Sequence, residues 1–101
     1  MRQVIDGKVY NTETATMIGQ YSNGLGRSDF HYEWENLYVT KKGRFFLDGE
    51  GGAMTKYSEP CGNMTGGGAS IIALTKEEAL MWCEQHLDAD EFCQYFELEE
   101  A

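Results

Sequence analysis

Long apolar runs, prolines and paired cysteines are scarce in this chain of 101 residues. No run approaches the roughly 18 apolar residues that a membrane helix needs, and the first residues lack the apolar stretch of a secretory signal. The three cysteines, Cys61, Cys83 and Cys93, are odd in number and show no C-x-x-C spacing. This pattern favours free thiols in a reducing compartment. We therefore predict a cytoplasmic protein that does not enter a membrane.

Residue patterns for catalysis are also missing. His31 and His86 are the two histidines, and no G-x-S-x-G motif accompanies them. The glycine-rich segment 62–70 lacks the lysine of a P-loop and is followed by an apolar strand pattern instead of a helix. Pairs such as Glu33 and Glu35 are interpreted as solvated surface, because 17 acids in 101 residues make such pairs common. We predict that the protein is not an enzyme.

One metal site and one nucleophile remain as alternatives. Cys83 and His86 lie one turn apart on a predicted helix, and Cys93 and Cys61 could complete a metal site. Small zinc sites usually show paired short spacings, which this chain lacks, so we interpret Cys83 as a thiol packed in the core. Cys61, in its glycine-rich loop, is the residue to test as a nucleophile. We expect that folding needs no metal, nucleotide or other cofactor.

Turn signals between β-favouring segments organise the first half of the chain. Asp6-Gly7 predicts a tight hairpin turn between two short strands within residues 3–10. The alternation of Phe30, Tyr32 and Trp34 with polar residues predicts a half-buried strand that begins at Phe30.

The clearest hairpin is predicted at residues 37–47. A three-residue loop, Lys41-Lys42-Gly43, would pair Val39 with Phe45 and Leu37 with Leu47. We expect Val39, Phe45 and Leu47 to be buried, with both lysines exposed at the turn. Residues 49–70 hold most of the glycine and the only proline, and they predict an irregular segment with one short strand near 53–57.

Three helices are predicted around these strands. The first begins at Asn11 or Thr12 and ends at Asn23. The second follows a buried strand at 70–74 and starts with a capping box, Thr75 to Glu78. The third begins at Asp88 or Asp90 and runs through Phe96. The fold class predicted is α+β: a small antiparallel sheet built on the hairpin 37–47, packed with one N-terminal helix and two short acidic C-terminal helices, in a single domain of residues 1–101.

Charge is distributed unevenly along the sequence. Residues 75–101 contain nine acids and one lysine, whereas residues 1–74 contain eight acids and seven basic side chains. A concentrated negative field attracts basic protein surfaces and opposes direct binding of nucleic acid. Solubility alone explains the same acidity, so a partner-directed role and a solubility role both stay open.

The whole chain resembles small proteins that phages and mobile elements of bacteria carry. The resemblance rests on the segments Val4-Ile5-Asp6-Gly7-Lys8, Tyr21-Ser22-Asn23-Gly24, Leu37-Tyr38-Val39-Thr40-Lys41-Lys42-Gly43, Gly49-Glu50-Gly51-Gly52 and Leu74-Thr75-Lys76-Glu77-Glu78-Ala79. Some small acidic proteins of this kind are anti-CRISPR inhibitors. The resemblance implies a protein that acts in the host bacterial cell by occluding the basic nucleic-acid path of a Cas effector.

The predicted partner-binding residues combine acids with two aromatic anchors. They are Glu84, Asp88, Asp90, Glu91, Glu97, Glu99, Tyr38 and Tyr57. Core packing is the alternative for both tyrosines. The expected partner is a protein with a basic surface. Two other functions remain open: a DNA-mimic inhibitor of another nucleic-acid enzyme, and a phage accessory binding protein without inhibitory activity.

Overall fold

The computed structural model describes residues 2–26, 28–61 and 64–87. This part of the chain contains eight strands and one helix, and that helix is too short and too polar to cross a membrane. The elements are β1 Arg2–Ile5, β2 Lys8–Asn11, β3 Thr16–Ser22, β4 Glu33–Val39, β5 Phe45–Gly51, β6 Glu59–Cys61, β7 Met64–Gly66, β8 Gly68–Leu74 and α1 Lys76–His86.

A four-stranded antiparallel sheet organises the molecule. Its strand order is β3-β4-β5-β8, while β1-β2 and β6-β7 form separate two-stranded ribbons. Helix α1 covers one face of the sheet, where Leu37 and Leu47 pack against Trp82. The β1-β2 hairpin covers part of the opposite face, where Tyr10 packs with Phe46. We call these the helix face and the hairpin face.

The central hairpin is confirmed in its register. Val39 pairs with Phe45, and Leu37 pairs with Leu47. The turn places Gly43 at φ 83°, a left-handed conformation that suits glycine. Leu47 is buried, whereas Val39 and Phe45 are half-buried, and Lys41 and Lys42 are exposed as expected.

The N-terminal hairpin is also confirmed. Asp6 and Gly7 have φ values of 51° and 74°, the two positive values that a type I′ turn requires. Tyr10 of β2 then reaches the sheet, where its ring lies 5.4 Å from that of Phe46 in an edge-on arrangement. The Asp-Gly turn therefore joins two strands in the register that pairs Tyr10 with Gln3.

The predicted N-terminal helix is wrong, because Thr16–Ser22 forms strand β3. Asn11 does begin a single turn, since its carbonyl accepts hydrogen bonds from the N–H groups of Thr14 and Ala15. The chain then pairs with β4, and the register shifts between Met17 and Gly19. Because of this bulge, Ile18 and Tyr21 contact the core three residues apart, which is also the spacing of residues on one helix face.

The expected arrangement of three helices around a sheet is wrong as well. The described chain is mostly β-structure, and α1 is its single helix. The capping box is present, since the Thr75 hydroxyl accepts from the N–H of Glu78 and the Glu78 carboxylate accepts from the N–H of Thr75. The predicted third helix, 88–96, lies outside the described residues. Pairing with β4 places residues 16–22 in the sheet and leaves the hairpin to cover the second face.

Two loop predictions need smaller corrections. The strand predicted from Phe30 begins at Glu33, and the Phe30 side chain is 68% exposed in a turn. Residues 53–57 form turns instead of a strand. The detour between β5 and β8 leaves from Gly51 and returns at Gly68, and these two glycines are paired.

We predict that Phe46→Ala destabilises the protein by about 3–5 kcal/mol, because the side chain is fully buried and its removal leaves a cavity. Phe30→Ala is the matched control and should change the free energy of unfolding by less than about 0.5 kcal/mol. Urea denaturation of both variants measures the difference. Equal losses would contradict the assigned burial.

Candidate functional site

A buried carboxylate connects three parts of the fold. Glu35 on β4 is 1% exposed. Its Oε1 accepts a hydrogen bond of 3.1 Å from the indole Nε1 of Trp82 on α1. Its Oε2 accepts one from the Tyr57 hydroxyl and forms an ion pair of 2.7 Å with Nζ of Lys56. Sheet, helix and loop therefore meet at this carboxylate.

The neighbouring backbone makes room for this cluster. Gly49 lies directly opposite Glu35 on β5, and a Cβ at this glycine would collide with the Tyr57 hydroxyl. Glycine inside a strand often marks such a close approach. The loop that carries Tyr57 is fixed in turn by Thr55, whose hydroxyl oxygen accepts from the N–H of Tyr57 and donates to the carbonyl of Gly52.

Hydrogen bonding determines the charge of Glu35. Burial alone would raise its pKa, but the hydrogen bonds from Lys56, Tyr57 and Trp82 together lower it below the ordinary value. Burial and the bond to Glu35 raise the pKa of Tyr57, so its hydroxyl stays protonated and keeps donating. Both carboxylate oxygens have partners, so this group is suited to holding the fold together and is not free for acid–base chemistry.

A shallow cavity of about 220 Å³ leads from this cluster to the solvent side of α1. Lys56 forms one wall and is half-exposed even though it pairs with Glu35. Met81 and Gln85 of α1 also line the cavity. The cavity therefore joins the buried cluster to the outer surface of the helix.

The outer surface of α1 carries an apolar side chain among carboxylates. Met81 is 59% exposed. Glu77 and Glu78 lie four and three residues before it, and Glu84 lies three residues after it, spacings that place side chains next to each other on a helix. All three glutamates are exposed. We call Glu77, Glu78, Met81 and Glu84 the acidic helix surface.

The sequence-predicted partner residues are only partly brought together. Glu84 lies on the acidic helix surface. Tyr38 and Tyr57 are 8% and 3% exposed, so they are core residues and not exposed anchors. Tyr38 stacks on Phe46 with a ring separation of 5.2 Å. The other predicted residues lie outside the described part of the chain: Asp88, Asp90, Glu91, Glu97 and Glu99.

Cys83 and His86 are held by packing contacts. Cys83 is fully buried, and burial raises the pKa of its thiol to about 11. The His86 ring lies 3.9 Å from that of Tyr21 and 4.9 Å from that of Trp82, and burial lowers the pKa of His86. Within the described residues, no group of three or more His, Cys, Asp or Glu side chains is placed to hold a metal ion.

A second pair of carboxylates lies on the hairpin face of the sheet. Glu50 accepts a hydrogen bond of 2.8 Å from the Tyr32 hydroxyl. Asp48 has a buried Oδ1 without a hydrogen-bond partner in the described structure. Burial raises the pKa of Asp48, and the charge of Glu50 raises it further. Asp48 and Glu50 lie on the opposite face of the sheet from Glu35, so the three carboxylates do not form one site.

Sequence reasoning missed the role of Glu35, although a signal was present. The alternation from Phe30 to Trp34 assigned the odd positions to solvent. However, Leu37 and Val39, which the hairpin pairs with Leu47 and Phe45, are odd positions of the same strand and lie on the helix face. Because side chains alternate along a strand, Glu35 lies on that face as well. Lys56 and Tyr57 come from a loop, and no sequence pattern pairs them with Glu35.

Comparisons with protein-family models, curated proteins and solved structures gave no match. Function is therefore inferred from charge and geometry.

We predict that Glu35→Gln lowers the free energy of unfolding by about 1–3 kcal/mol at neutral pH. The amide provides one acceptor where the carboxylate provides two, so a buried donor loses its partner. Glu33→Gln is the control, on the same strand. Its half-buried carboxyl has a pKa raised by burial and by Glu35, so a neutral side chain should be tolerated to within about 0.5 kcal/mol.

The pH dependence of this loss follows from the direction of the Glu35 pKa. Because the folded pKa is below the ordinary 4.5, the stabilisation by charge is fully present above that value and is lost as the pH falls through the folded pKa. The stability difference between wild type and Glu35→Gln should therefore shrink on acidification, which urea titrations at several pH values measure. A difference that grows on acidification would contradict the charged state of Glu35.

Proposed function

We propose that this protein is an anti-CRISPR-type inhibitor that binds a basic surface of a Cas effector in the bacterial cytoplasm and occludes its nucleic-acid path. The observation that carries the proposal is the acidic helix surface, where three exposed carboxylates surround the exposed Met81. Methionine is enriched at protein interfaces, and exposed charges around an apolar contact speed encounter with an oppositely charged partner.

The density of charge on α1 can be compared with that of DNA. Glu77 and Glu84 are seven residues apart, or about 10 Å along the helix axis. Duplex DNA carries about six charges over that length, because one charge occurs about every 1.7 Å. Three carboxylates therefore give about half that density. The six acids of 88–100 continue the charge in sequence and would have to supply the rest.

The second candidate is a DNA-mimic inhibitor of another nucleic-acid enzyme, such as a restriction nuclease. The same charge comparison favours it, since a positively charged nucleic-acid channel is common to both kinds of target. The two candidates differ in the enzyme that is inhibited, which a challenge in living cells distinguishes.

The test is a phage challenge in bacterial strains that carry different CRISPR types, with and without this gene. The proposal expects plaque formation to recover in at least one type. A strain with a restriction system and no CRISPR system is the parallel arm. Recovery only in that strain would favour the DNA mimic, and recovery in neither would reject both functions.

We predict that the double variant Glu77→Lys, Glu84→Lys weakens binding to the purified target about tenfold or more, mainly by slowing association. Neither residue provides the capping-box carboxylate, which belongs to Glu78, so α1 should remain folded. Affinity of the wild type should also fall as salt rises, because exposed charges are screened over about 8 Å at physiological ionic strength.

The control is Glu13→Lys, Glu59→Lys, which makes the same change of charge at exposed positions away from α1. Association rates for all variants can be measured by surface plasmon resonance. If the control weakened binding as much as the α1 variant, net charge and not the acidic helix surface would be responsible.

A further inference from the structure

The strongest basic feature of this acidic protein is a cleft between two hairpin turns. Lys8 at the start of β2 lines one side, and Lys41, Lys42 and Arg44 of the central turn line the other. These four are half of the eight basic residues in the chain. The cleft has a volume of about 410 Å³, which lies within the usual range of small-molecule sites, about 300–1,000 Å³.

Among the described residues that line this cleft, four side chains are cationic and none is a carboxylate. None of its four cationic side chains forms an ion pair with another described residue, and the ion pair of Lys56 with Glu35 lies on the other face of the sheet. Four cations in one concave place, none of them paired with a described carboxylate, concentrate a field that attracts anions.

Both walls of the cleft are held in place. The N–H of Thr40 donates to the carbonyl of Arg44 at 2.8 Å, and the N–H of Gly43 donates to the carbonyl of Thr40 at 2.9 Å. The N–H of Arg44 donates to the Thr40 hydroxyl oxygen at 3.1 Å, and this bond does not use the proton of the hydroxyl. The opposite wall is anchored by Tyr10, which is 6% exposed and packs in the core of the hairpin face.

We propose that this cleft is a binding site for an anion with two or more linked phosphate groups, either free polyphosphate or the polyphosphate of a nucleotide. Cations on both walls favour a ligand that reaches across the cleft, which a single phosphate does less well. Arg44 can bind phosphate oxygens through two N–H groups, and the lysines add point charges. The site lies on the hairpin face, opposite the acidic helix surface, and does not depend on the proposed inhibition.

The experiment is calorimetric titration of the full chain with pyrophosphate, tripolyphosphate, ATP and inorganic phosphate. We expect pyrophosphate and tripolyphosphate to bind, inorganic phosphate to bind at least about tenfold more weakly, and affinity to fall with salt. Equal affinity for tripolyphosphate and ATP assigns the site to free polyphosphate, whereas tighter binding of ATP assigns it to a nucleotide.

The variant Lys42→Ala, Arg44→Ala should weaken pyrophosphate binding at least about tenfold. Its matched control is Arg2→Ala, Lys76→Ala, which removes two exposed cations that do not line the cleft; circular dichroism checks that both variants are folded. Three results would overturn the proposal: no binding of pyrophosphate up to about 1 mM, equal weakening by the control, or binding of a single-stranded oligonucleotide without binding of any small polyphosphate.

Discussion

The fold depends on one buried negative charge and on the donors that surround it. Glu35 comes from the sheet, Trp82 from the helix, and Lys56 and Tyr57 from the loop after β5. An ionised carboxylate is costly to bury unless it is paired and hydrogen-bonded, so these elements have to be in place together. A carboxylate with partners from three directions also gives directional constraints that apolar packing lacks. The orientation of α1 on the sheet is therefore defined by a hydrogen bond, even though much of the core between them is aliphatic.

Turns and helix starts could be predicted from the sequence more reliably than the strand at residues 16–22. Asp6-Gly7, Lys41-Lys42-Gly43 and the capping box at Thr75 depend on backbone conformations that few residues favour, and all three occur where they were predicted. Residues 16–22 were predicted as part of a helix, and they do not show the regular period of two of a strand, because a bulge between Met17 and Gly19 interrupts it. Ile18 and Tyr21 then contact the same core at a spacing of three, which is the spacing of one helix face. Pairing with β4 makes this segment a strand, and the sequence of the segment alone does not reveal that pairing.

The candidate surfaces were accessible to sequence reasoning to different degrees. The acidity of the C-terminal third is a matter of composition, so Glu84 could be predicted without a structure. The cationic cleft could not, because Lys8 and Arg44 are far apart in sequence and meet only when the first hairpin docks beside the second. The sheet separates the acidic helix surface from the cationic cleft. Within the described residues, the same charged partner would therefore be attracted to one of these surfaces and repelled by the other.

The detour between β5 and β8 begins and ends at paired glycines, Gly51 and Gly68. By geometry alone, this excursion resembles an insertion into a four-stranded sheet. The sheet could lose it, since a short loop would reconnect β5 with β8. The excursion nevertheless carries Lys56 and Tyr57, so its removal would leave Glu35 with the Trp82 indole as its only remaining donor among the three. During evolution the length of this segment can therefore drift on either side of those two residues, whereas the residues themselves and the glutamate they serve have to be gained or lost together.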